Sequence, residues 1–482
     1  MINQTPTAVA SPVEPPARLL GLDVARGIAL LGIFVVNIQF FSQAFGHFTF
    51  PVPESGDWLT RALFYVQGVF FTGRFYPLFS MLFGMGLVLM LTSSRRRGAE
   101  KSFTRTYFRR LGALFVIGLA HGLGLWYGDV LLTYSLCGVV MLLCRRWPPK
   151  ALIPVGVGLV LVGTVLYSGL ASLNALSIAA QRSMAVERAS APDAAEPPAS
   201  TDESSASDDS SSSQAKVPPE PDGLDRLAQN HPFLAMIDGY RDERIVGGPE
   251  DPEYMRLETL AYREGPWIDA QLFRVMTWAM FVVVTVLSVF WHVLGLFFIG
   301  AGVMKVGIVD ERQRPLRLWL IGIGLLAGVP LSVVSVWCAA SPANPLLAAA
   351  AVLTGFIGGP LMAVGYLCLA LRLAEARGRV VAALAHMLGA AGRMALSNYL
   401  LQTVVSTLVF YHWGLGQFGL WTRPEKWAMV LGVFAAQCVV SVIWLRVFRM
   451  GPMEWAWRSV TYWAIQPLRR ESGGPTVSTS PS

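Results

Sequence analysis

The side chains best suited to chemistry lie in one short stretch, residues 119–134. It places His121 and Asp129 eight residues apart across a glycine-rich turn and ends at Tyr134. A carboxylate within reach of an imidazole fixes the tautomer of the ring and raises its basicity. His121 is therefore predicted to be a general base that Asp129 orients, with Tyr134 contacting the substrate. The alternative is that His121 is a hydrogen-bonded structural histidine.

A second set of polar residues follows helical spacing in the first apolar run. Arg26 and Asn37 are eleven residues apart, which places them on one helix face about 16 Å from each other. Asp23 lies one turn before Arg26 and can pair with it. Because an arginine fork suits phosphate, Asp23, Arg26 and Asn37 are predicted to contact a phosphate-bearing ligand from the cytoplasm. The alternative is an ion pair that anchors the helix at the membrane surface.

A third set occupies the apolar run 383–411. Arg393, Asn398 and Gln402, with Ser397 and Tyr399 between them, cover about half of a helix circumference, and such a surface cannot face lipid without a large cost. These residues are predicted to line a polar cavity, where they could also steady an oxyanion. Hydrogen bonding to a neighbouring helix is the alternative.

The composition indicates a polytopic membrane protein. Of 482 residues, 54% are hydrophobic and 14% are charged, against a usual charged share of about 25%. The net charge of +7 comes from basic clusters between apolar runs, which favours membrane orientation over a nucleic-acid partner. The five cysteines form no C-x-x-C motif, and P-loop, G-x-S-x-G and H-E-x-x-H motifs are absent as well. We therefore predict no metal, no disulfide framework and no ATPase or serine hydrolase site.

The apolar runs predict an all-α, polytopic transmembrane helix bundle. A bilayer core of about 30 Å needs roughly 20 apolar residues per helix, and on that measure there are ten spans. Arg74 and Pro77 interrupt the run from Trp58, which we divide into an interfacial or re-entrant piece (58–73) and a span (75–92). Arg74 joins the predicted substrate-binding residues. The basic clusters all fall on one side, so both termini are predicted to be cytoplasmic.

The predicted segments follow from these spans. They comprise a disordered tail (1–17), a five-span N-terminal half (18–173), an outer segment (174–274), a five-span C-terminal half (275–450) and a cytoplasmic tail (451–482). Within the outer segment, residues 185–222 are rich in Ser, Pro and acidic residues, which predicts disorder. Periodicity returns over 224–269 and predicts short helices.

Several motifs together resemble the YeiB-like family of bacterial polytopic membrane proteins, whose C-terminal part is known as domain of unknown function 418. They are Leu22-Asp-Val-Ala-Arg-Gly followed by Asn37, Leu78-Phe-Ser-Met-Leu-Phe-Gly-Met-Gly86, His121-Gly with Gly128-Asp-Val-Leu131, Gly392-Arg-Met-Ala-Leu-Ser-Asn-Tyr-Leu-Leu-Gln402 and Gly451-Pro-Met-Glu-Trp. The resemblance implies a location in the bacterial cytoplasmic membrane. The family implies no defined activity, and the acidic insert at 174–274 departs from its pattern.

The first span is also distantly similar to that of the heparan-α-glucosaminide acetyltransferases, which carry acetyl groups from cytoplasmic acetyl-CoA across a membrane. That likeness implies an acyl-CoA co-substrate, a small-molecule, glycan or lipid acceptor at the outer face, and His47 as an alternative key histidine. A transporter or permease with the same polar residues lining its path remains the main alternative. A scaffold that binds through residues 174–274 is a third.

Overall fold

The computed structural model describes residues 20–49, 57–190, 223–341 and 343–470. Within these ranges the chain forms helices and one isolated β-bridge, which confirms the all-α fold. The helices are α1 (Leu20–Ser42), α2 (Gly46–Thr49), α3 (Trp58–Phe70), α4 (Phe75–Arg96), α5 (Glu100–Gly124), α6 (Leu131–Leu143), α7 (Pro149–Ser190), α8 (Gly223–Asn230), α9 (Pro232–Arg241), α10 (Pro252–Arg263), α11 (Trp267–Val284), α12 (Phe290–Val306), α13 (Arg314–Ala339), α14 (Pro345–Ala374), α15 (Arg379–Arg393), α16 (Ala395–Phe410), α17 (Arg423–Val447) and α18 (Pro452–Tyr462).

Both predicted disordered segments, 1–17 and 185–222, lie outside the described residues except for residues 185–190. Residues 185–190, which the sequence assigned to the second of them, are helical and end α7. Their composition explains the difference, because Ala, Glu and Arg are good helix formers and simply continue the helix beyond its apolar part.

Seven helical stretches of the described chain are long and apolar enough to cross a membrane. They are α1, α3 with α4, α7, α11 with α12, α13, α14 and α17; the bent pair α15 and α16 would be an eighth. Helix α5 is not among them, and α6 has only 13 residues. The total of ten spans and the cytoplasmic location of both termini therefore stay predictions.

The outer surface of the bundle identifies an integral membrane protein. Large apolar side chains on α13 and α14 point away from the protein: Trp319 is 72% exposed, Leu326 80%, Trp337 70% and Leu346 80%. In water such a surface would be a large aggregation liability, whereas lipid is as apolar as these side chains. Helices α13 and α14 therefore present a lipid-facing side and pack against each other.

The ninth predicted span, 383–411, is wrong as a single helix. It consists of α15 and α16, which meet at 80° around Met394. The start of α16 is held by Glu454 of α18, which accepts hydrogen bonds from the backbone N–H groups of Leu396 (2.7 Å) and Ser397 (3.2 Å) and from the Ser397 hydroxyl (2.6 Å). A carboxylate satisfies the otherwise unpaired N–H groups of a helix start and interacts favourably with the helix dipole. Glu454 thus makes a separate α16 favourable.

Helix α15 lies directly against α1, and glycine allows that contact. A β-carbon at Gly392 would overlap the carbonyl oxygen of Asp23, and one at Gly27 would overlap the carbonyl oxygen of Leu388. Small residues let helix backbones approach closely in membrane proteins. This contact brings Arg26 of α1 next to the junction of α15 and α16.

Three short helices, α8 to α10, cover one end of the bundle, as the periodicity over 224–269 predicts. They are tied to the chain after α16 and to the end of α1. The N–H of His412 donates to the carbonyl of Tyr262 (2.8 Å), and the N–H of Phe45 donates to the Glu258 carboxylate (3.0 Å). We call this end the outer end, following the predicted topology.

Candidate functional site

His121 and Asp129 are in direct contact. The Nδ1 atom of His121 lies 3.0 Å from Oδ1 of Asp129, and both side chains are buried. The other carboxylate oxygen of Asp129 accepts a hydrogen bond from the N–H of Leu132 (2.8 Å) at the start of α6. Gly118 permits this arrangement, because a β-carbon there would approach both the Leu132 nitrogen and the Asp129 carboxylate. Asp129 is therefore fixed by α6 and in turn orients the imidazole.

The second nitrogen of His121 contacts a residue that the sequence did not single out. Its Nε2 lies 2.9 Å from the hydroxyl oxygen of Thr403 on α16. Because the Asp129 oxygen is an acceptor, we assign the proton of the neutral imidazole to Nδ1, which leaves Nε2 to accept the Thr403 O–H. The three side chains form one hydrogen-bonded series, from carboxylate to imidazole to hydroxyl.

Aromatic rings enclose the imidazole. Tyr399 lies one turn before Thr403 on α16, and its ring centre is 5.2 Å from that of His121. Trp126 contacts the imidazole edge-on at 6.2 Å and packs on Phe41 at 4.4 Å. Such surroundings exclude water, which strengthens electrostatic interactions inside the site.

A cavity of about 200 Å³ lies beside this histidine. We call it the basic cavity, because four arginines line it: Arg26, Arg110, Arg393 and Arg458. The remaining lining residues are Leu30, Ile33, Phe79, Leu82, Phe83, Gly86, Leu87, Tyr107, Leu114, Val130, Leu131, Tyr134, Gly392, Ala395, Leu396, Tyr399, Glu454 and Trp457. Its walls are thus mainly apolar, and its polar groups are few.

The basic cavity connects the arginines with the neighbourhood of His121. Arg110 and His121 both belong to α5, and eleven residues separate them by about 16 Å along the helix axis. Tyr399 and Val130 line the cavity, and they adjoin His121 and Asp129 respectively. A ligand with an anionic end and an extended arm could therefore bind the arginines and reach towards the histidine.

The arginines differ in how their charges are balanced. Arg26 forms an ion pair with Asp23 at 2.6 Å. Arg110 stacks on the Trp457 ring at 3.8 Å, and within the described part of the chain neither it nor Arg458 forms a salt bridge. Burial, and secondarily the nearby charge of Arg110, lower the pKa of Arg458. Two half-buried guanidinium groups that repel each other favour an anionic ligand, and phosphate matches their geometry.

Of the other residues predicted from the sequence, some line the basic cavity and others lie outside it. Tyr134 lines the cavity and donates its hydroxyl hydrogen to the carbonyl of Tyr76 (3.2 Å). Arg393 lines it as well and donates to the carbonyl of Arg449 (3.2 Å). Asn37, on the same face of α1 as Arg26, is half-buried and lies beyond the lining residues.

Asn398 and Gln402 face α17 instead of the cavity. Asn398 donates to the Ser441 hydroxyl (3.1 Å), and Gln402 donates to the side-chain oxygen of Gln437 (2.9 Å). Gln437 in turn donates to the backbone carbonyl of Asn398 (2.9 Å). These hydrogen bonds join two helices and leave neither side chain available to an oxyanion in the cavity.

Arg74 also has a structural environment. It is buried in the predicted interruption between α3 and α4, and its guanidinium donates to the carbonyls of Gly68 (3.4 Å) and Val69 (3.3 Å) at the end of α3. Cations are favourable at a helix C-terminus, where carbonyl groups remain unpaired. His47 is exposed and distant in sequence from the elements around His121. In the described ranges, no group of three or more His, Cys, Asp or Glu side chains could hold a metal ion.

Glu258 is the buried acid of the outer end. One of its oxygens accepts the N–H of Phe45, and the other has no hydrogen-bond partner among the described residues. Burial raises the pKa of Glu258 to about 8. The groups electrostatically coupled to it are the hydroxyls of Tyr127, Tyr254, Tyr262 and Tyr411. The carboxyl group is therefore protonated in the folded protein at neutral pH.

This pKa predicts a stability that depends on pH. The folded protein holds the Glu258 proton up to about pH 8, whereas an unfolded glutamate releases it near pH 4.3. The free energy of unfolding should therefore fall as pH rises through this window and level off above it. Thermal unfolding of the purified protein between pH 5 and pH 9 measures the effect. Glu258→Gln should remove that part of the slope, and an unchanged slope would contradict the assignment.

The chain is similar to several proteins of unknown function. Residues 303–464 match the family model described as protein of unknown function (DUF418). Over 94% of its length the chain is 29% identical to the uncharacterized protein YxaH of Bacillus subtilis (strain 168), covering 97% of that relative. It is also 29% identical to the uncharacterized protein YeiB of Escherichia coli (strain K12), with 93% and 98% covered.

The chain is therefore similar to the YeiB-like proteins over nearly its whole length, and its C-terminal third matches the DUF418 family model. An uncharacterized protein of Bacillus acidopullulyticus is a further relative, 25% identical over 94% of the chain and 96% of its own length. No solved structure matches the chain. Because these relatives are all described as uncharacterized, the similarity to them brings no activity with it.

The residues that sequence reasoning missed are Thr403, Arg110, Arg458 and Glu454. Arg458 and Glu454 stand within or beside the Gly451-Pro-Met-Glu motif, so that motif was a signal whose role was not recognised. Arg110 lies in one of the basic clusters between apolar runs, and membrane orientation alone explains such clusters. Thr403 lies one residue beyond the motif that ends at Gln402, and its type alone gave no signal.

Proposed function

We propose that this YeiB-like protein is a membrane acyltransferase of the bacterial cytoplasmic membrane. It would take an acyl group from cytoplasmic acyl-CoA and transfer it to a hydroxyl or amine acceptor from the outer side. The observation that carries the proposal is the basic cavity, which extends from Arg110 and Arg458, two arginines without a salt bridge among the described residues, to the wall of a buried histidine–aspartate pair.

The arginine end of the basic cavity suits the phosphates of the donor. The volume of the whole basic cavity, about 200 Å³, is below the roughly 300–1,000 Å³ of pockets that enclose a drug-sized ligand. A whole acyl-CoA therefore would not fit inside. The phosphates would bind Arg110 and Arg458 at the cavity entrance, and the narrow pantetheine arm would extend between the apolar walls towards Tyr399.

The histidine end suits general base catalysis. Asp129 keeps the His121 proton on Nδ1, so that Nε2 is free of a proton and can accept one. As the attacking oxygen or nitrogen bonds to the thioester carbonyl, its proton passes to His121. The carbon–sulfur bond then breaks, and the departing thiolate takes that proton from His121. Tyr399, which lines the cavity beside His121, would donate its hydroxyl hydrogen to the oxyanion.

Acyl-CoA binding and turnover test the proposal together. The full-length protein in lipid nanodiscs should show a higher unfolding temperature with acyl-CoA, because a ligand that binds only the folded state stabilises it. It should also release CoA in the presence of acceptor lipids or glycans. His121→Ala should keep the thermal shift and lose the release. A panel from acetyl-CoA to palmitoyl-CoA that gives neither a shift nor CoA release would refute acyltransfer.

One observation favours a permease as the second candidate. The chain has a helix interruption in each half, at residues 71–74 and at Met394, and interrupted helices in both halves are typical of transporter binding sites. In that case the basic cavity would bind an anionic solute. Exchange of labelled solute across proteoliposomes, with no chemical change in it, would support the permease.

A further inference from the structure

We infer that Thr403 is a covalent nucleophile, which receives the acyl group before the acceptor does. This inference rests on the proposed acyltransferase function and adds an acyl-enzyme intermediate to it. Its basis is the hydrogen-bonded series of Asp129, His121 and Thr403, with 3.0 Å between the first pair and 2.9 Å between the second.

The series has the parts of an activated nucleophile. A hydroxyl within hydrogen-bond reach of an imidazole, which is oriented by a third group, is the signature of nucleophilic catalysis. The same constellation recurs on unrelated folds, so geometry and roles identify it, and the order of residues in the chain does not. Here the three groups come from three elements: the end of α5, the loop before α6 and the middle of α16.

The position of Thr403 leaves no room for another hydroxyl at the base. Nε2 of His121 is the nitrogen that can accept a proton, and Thr403 already occupies it. An external acceptor could reach Nε2 only by displacing Thr403, a side chain that is 1% exposed and held within a helix. The first proton that His121 takes is therefore that of Thr403.

The location also suits transfer between two sides. Tyr399 lines the basic cavity, and Thr403 lies one helical turn, about 6 Å, further along α16 towards the outer end. Beyond Thr403 the same helix presents Ser406 and Thr407, both buried. An acyl group on Thr403 would have left the donor cavity, so donor and acceptor would not need to meet in one chamber.

The chemistry balances in two halves. First, the Thr403 oxygen bonds to the thioester carbonyl, its proton goes to His121, the carbon–sulfur bond breaks, and the thiolate takes that proton to leave as CoA. Then the acceptor oxygen or nitrogen attacks the Thr403 ester and gives its proton to His121. The Thr403 oxygen recovers the proton as the ester bond breaks. The products are CoA and the acylated acceptor, and the Thr403 hydroxyl is regenerated.

Trapping the ester tests the inference. Full-length protein in nanodiscs is mixed with labelled acyl-CoA without acceptor, denatured in acid and digested. The peptide that contains Thr403 should carry the acyl mass and lose it in hydroxylamine. Thr403→Ala should carry no label and should transfer acyl groups at least ~10³-fold more slowly. Thr403→Ser should restore both label and transfer, because it keeps the hydroxyl.

Thr407→Ala is the matched control. Thr407 is a buried threonine on the same helix, and its hydroxyl donates to the carbonyl of Val404 (3.0 Å). This variant should keep label and transfer. Wild-type turnover without label at Thr403, or turnover by Thr403→Ala at the wild-type rate, would overturn the nucleophile and leave the acyltransferase standing. Absence of any wild-type turnover with acyl-CoA would overturn both.

Discussion

Replacement of His121 by Ala is expected to abolish acyl transfer, and Asp129→Asn is expected to reduce kcat/KM by about 10²–10⁴-fold. The imidazole is placed to accept a proton beside the basic cavity, and Asp129 sets which nitrogen carries the proton. An asparagine at position 129 can still accept the N–H of Leu132, so the start of α6 is preserved. Steady-state release of CoA measures the effect.

His292→Ala is the control for this prediction. His292 is also a fully buried histidine, with Nδ1 3.3 Å from the Tyr76 hydroxyl oxygen and Nε2 3.1 Å from the carbonyl oxygen of Phe356. It contacts no carboxylate in these bonds and does not line the cavity. Its loss should lower the unfolding temperature with little change in kcat. Equal losses of activity in the two variants, matched by equal losses of stability, would show that His121 is structural.

The contact between His121 and Asp129 could be predicted because it is local. The two residues are eight positions apart, across a glycine-rich turn. Few conformations of so short a backbone segment would hold the two side chains far from each other. The contact of His121 with Thr403 could not be predicted, because the two residues are 282 positions apart in the sequence. Helical periodicity gives no information about which helices pack together.

Helical periodicity also could not predict whether Asn398 and Gln402 line the cavity or contact another helix. It places them on one polar face of a helix, but a polar face can line a cavity or bind another helix. The hydrogen-bond partners decide between these two possibilities, and here they are Ser441 and Gln437 on α17. Those two polar residues within another apolar run were the available signal for helix–helix hydrogen bonding.

The break at Met394 escaped the hydropathy pattern for a different reason. The run 383–411 is long enough for a span, and hydropathy does not depend on whether a helix is straight. The break depends on Glu454, more than 50 residues away, whose carboxylate caps the start of α16. Tertiary contact overrode the local preference for a continuous helix.

The arginines that line the cavity could not be recognised as ligand-binding residues from the sequence. The positive-inside rule explains basic residues at helix ends without any ligand, so Arg110 and Arg458 gave no distinct signal. Only the structure shows that both are half-buried, that both line one cavity, and that neither forms a salt bridge within the described ranges. Because Arg26 already has Asp23 as a partner, the proposed binding of phosphate depends chiefly on Arg110 and Arg458.

Removal of these two charges is expected to weaken donor binding strongly. Each hydrogen bond to a charged group contributes about 1.5–3 kcal/mol, which corresponds to a KM for acyl-CoA raised roughly 10–100-fold in Arg110→Ala or Arg458→Ala. The kcat should change little, because neither guanidinium reaches His121. Lysine at either position should restore only part of the affinity, since it lacks the planar fork. Titration of acyl-CoA at two salt concentrations measures both effects.

Arg109→Ala is the matched control for charge and position. Arg109 adjoins Arg110 on α5 but does not line the cavity, and its guanidinium lies 5.4 Å from the centre of the Trp463 ring. If binding depends on phosphate contacts inside the cavity, this variant should keep the wild-type KM. A rise in KM of the same size in all three variants would instead indicate a diffuse surface attraction, since a general field acts on every nearby cation alike and is screened by salt. A kcat that falls while KM stays constant would place the arginines with the chemistry, contrary to the donor-binding role.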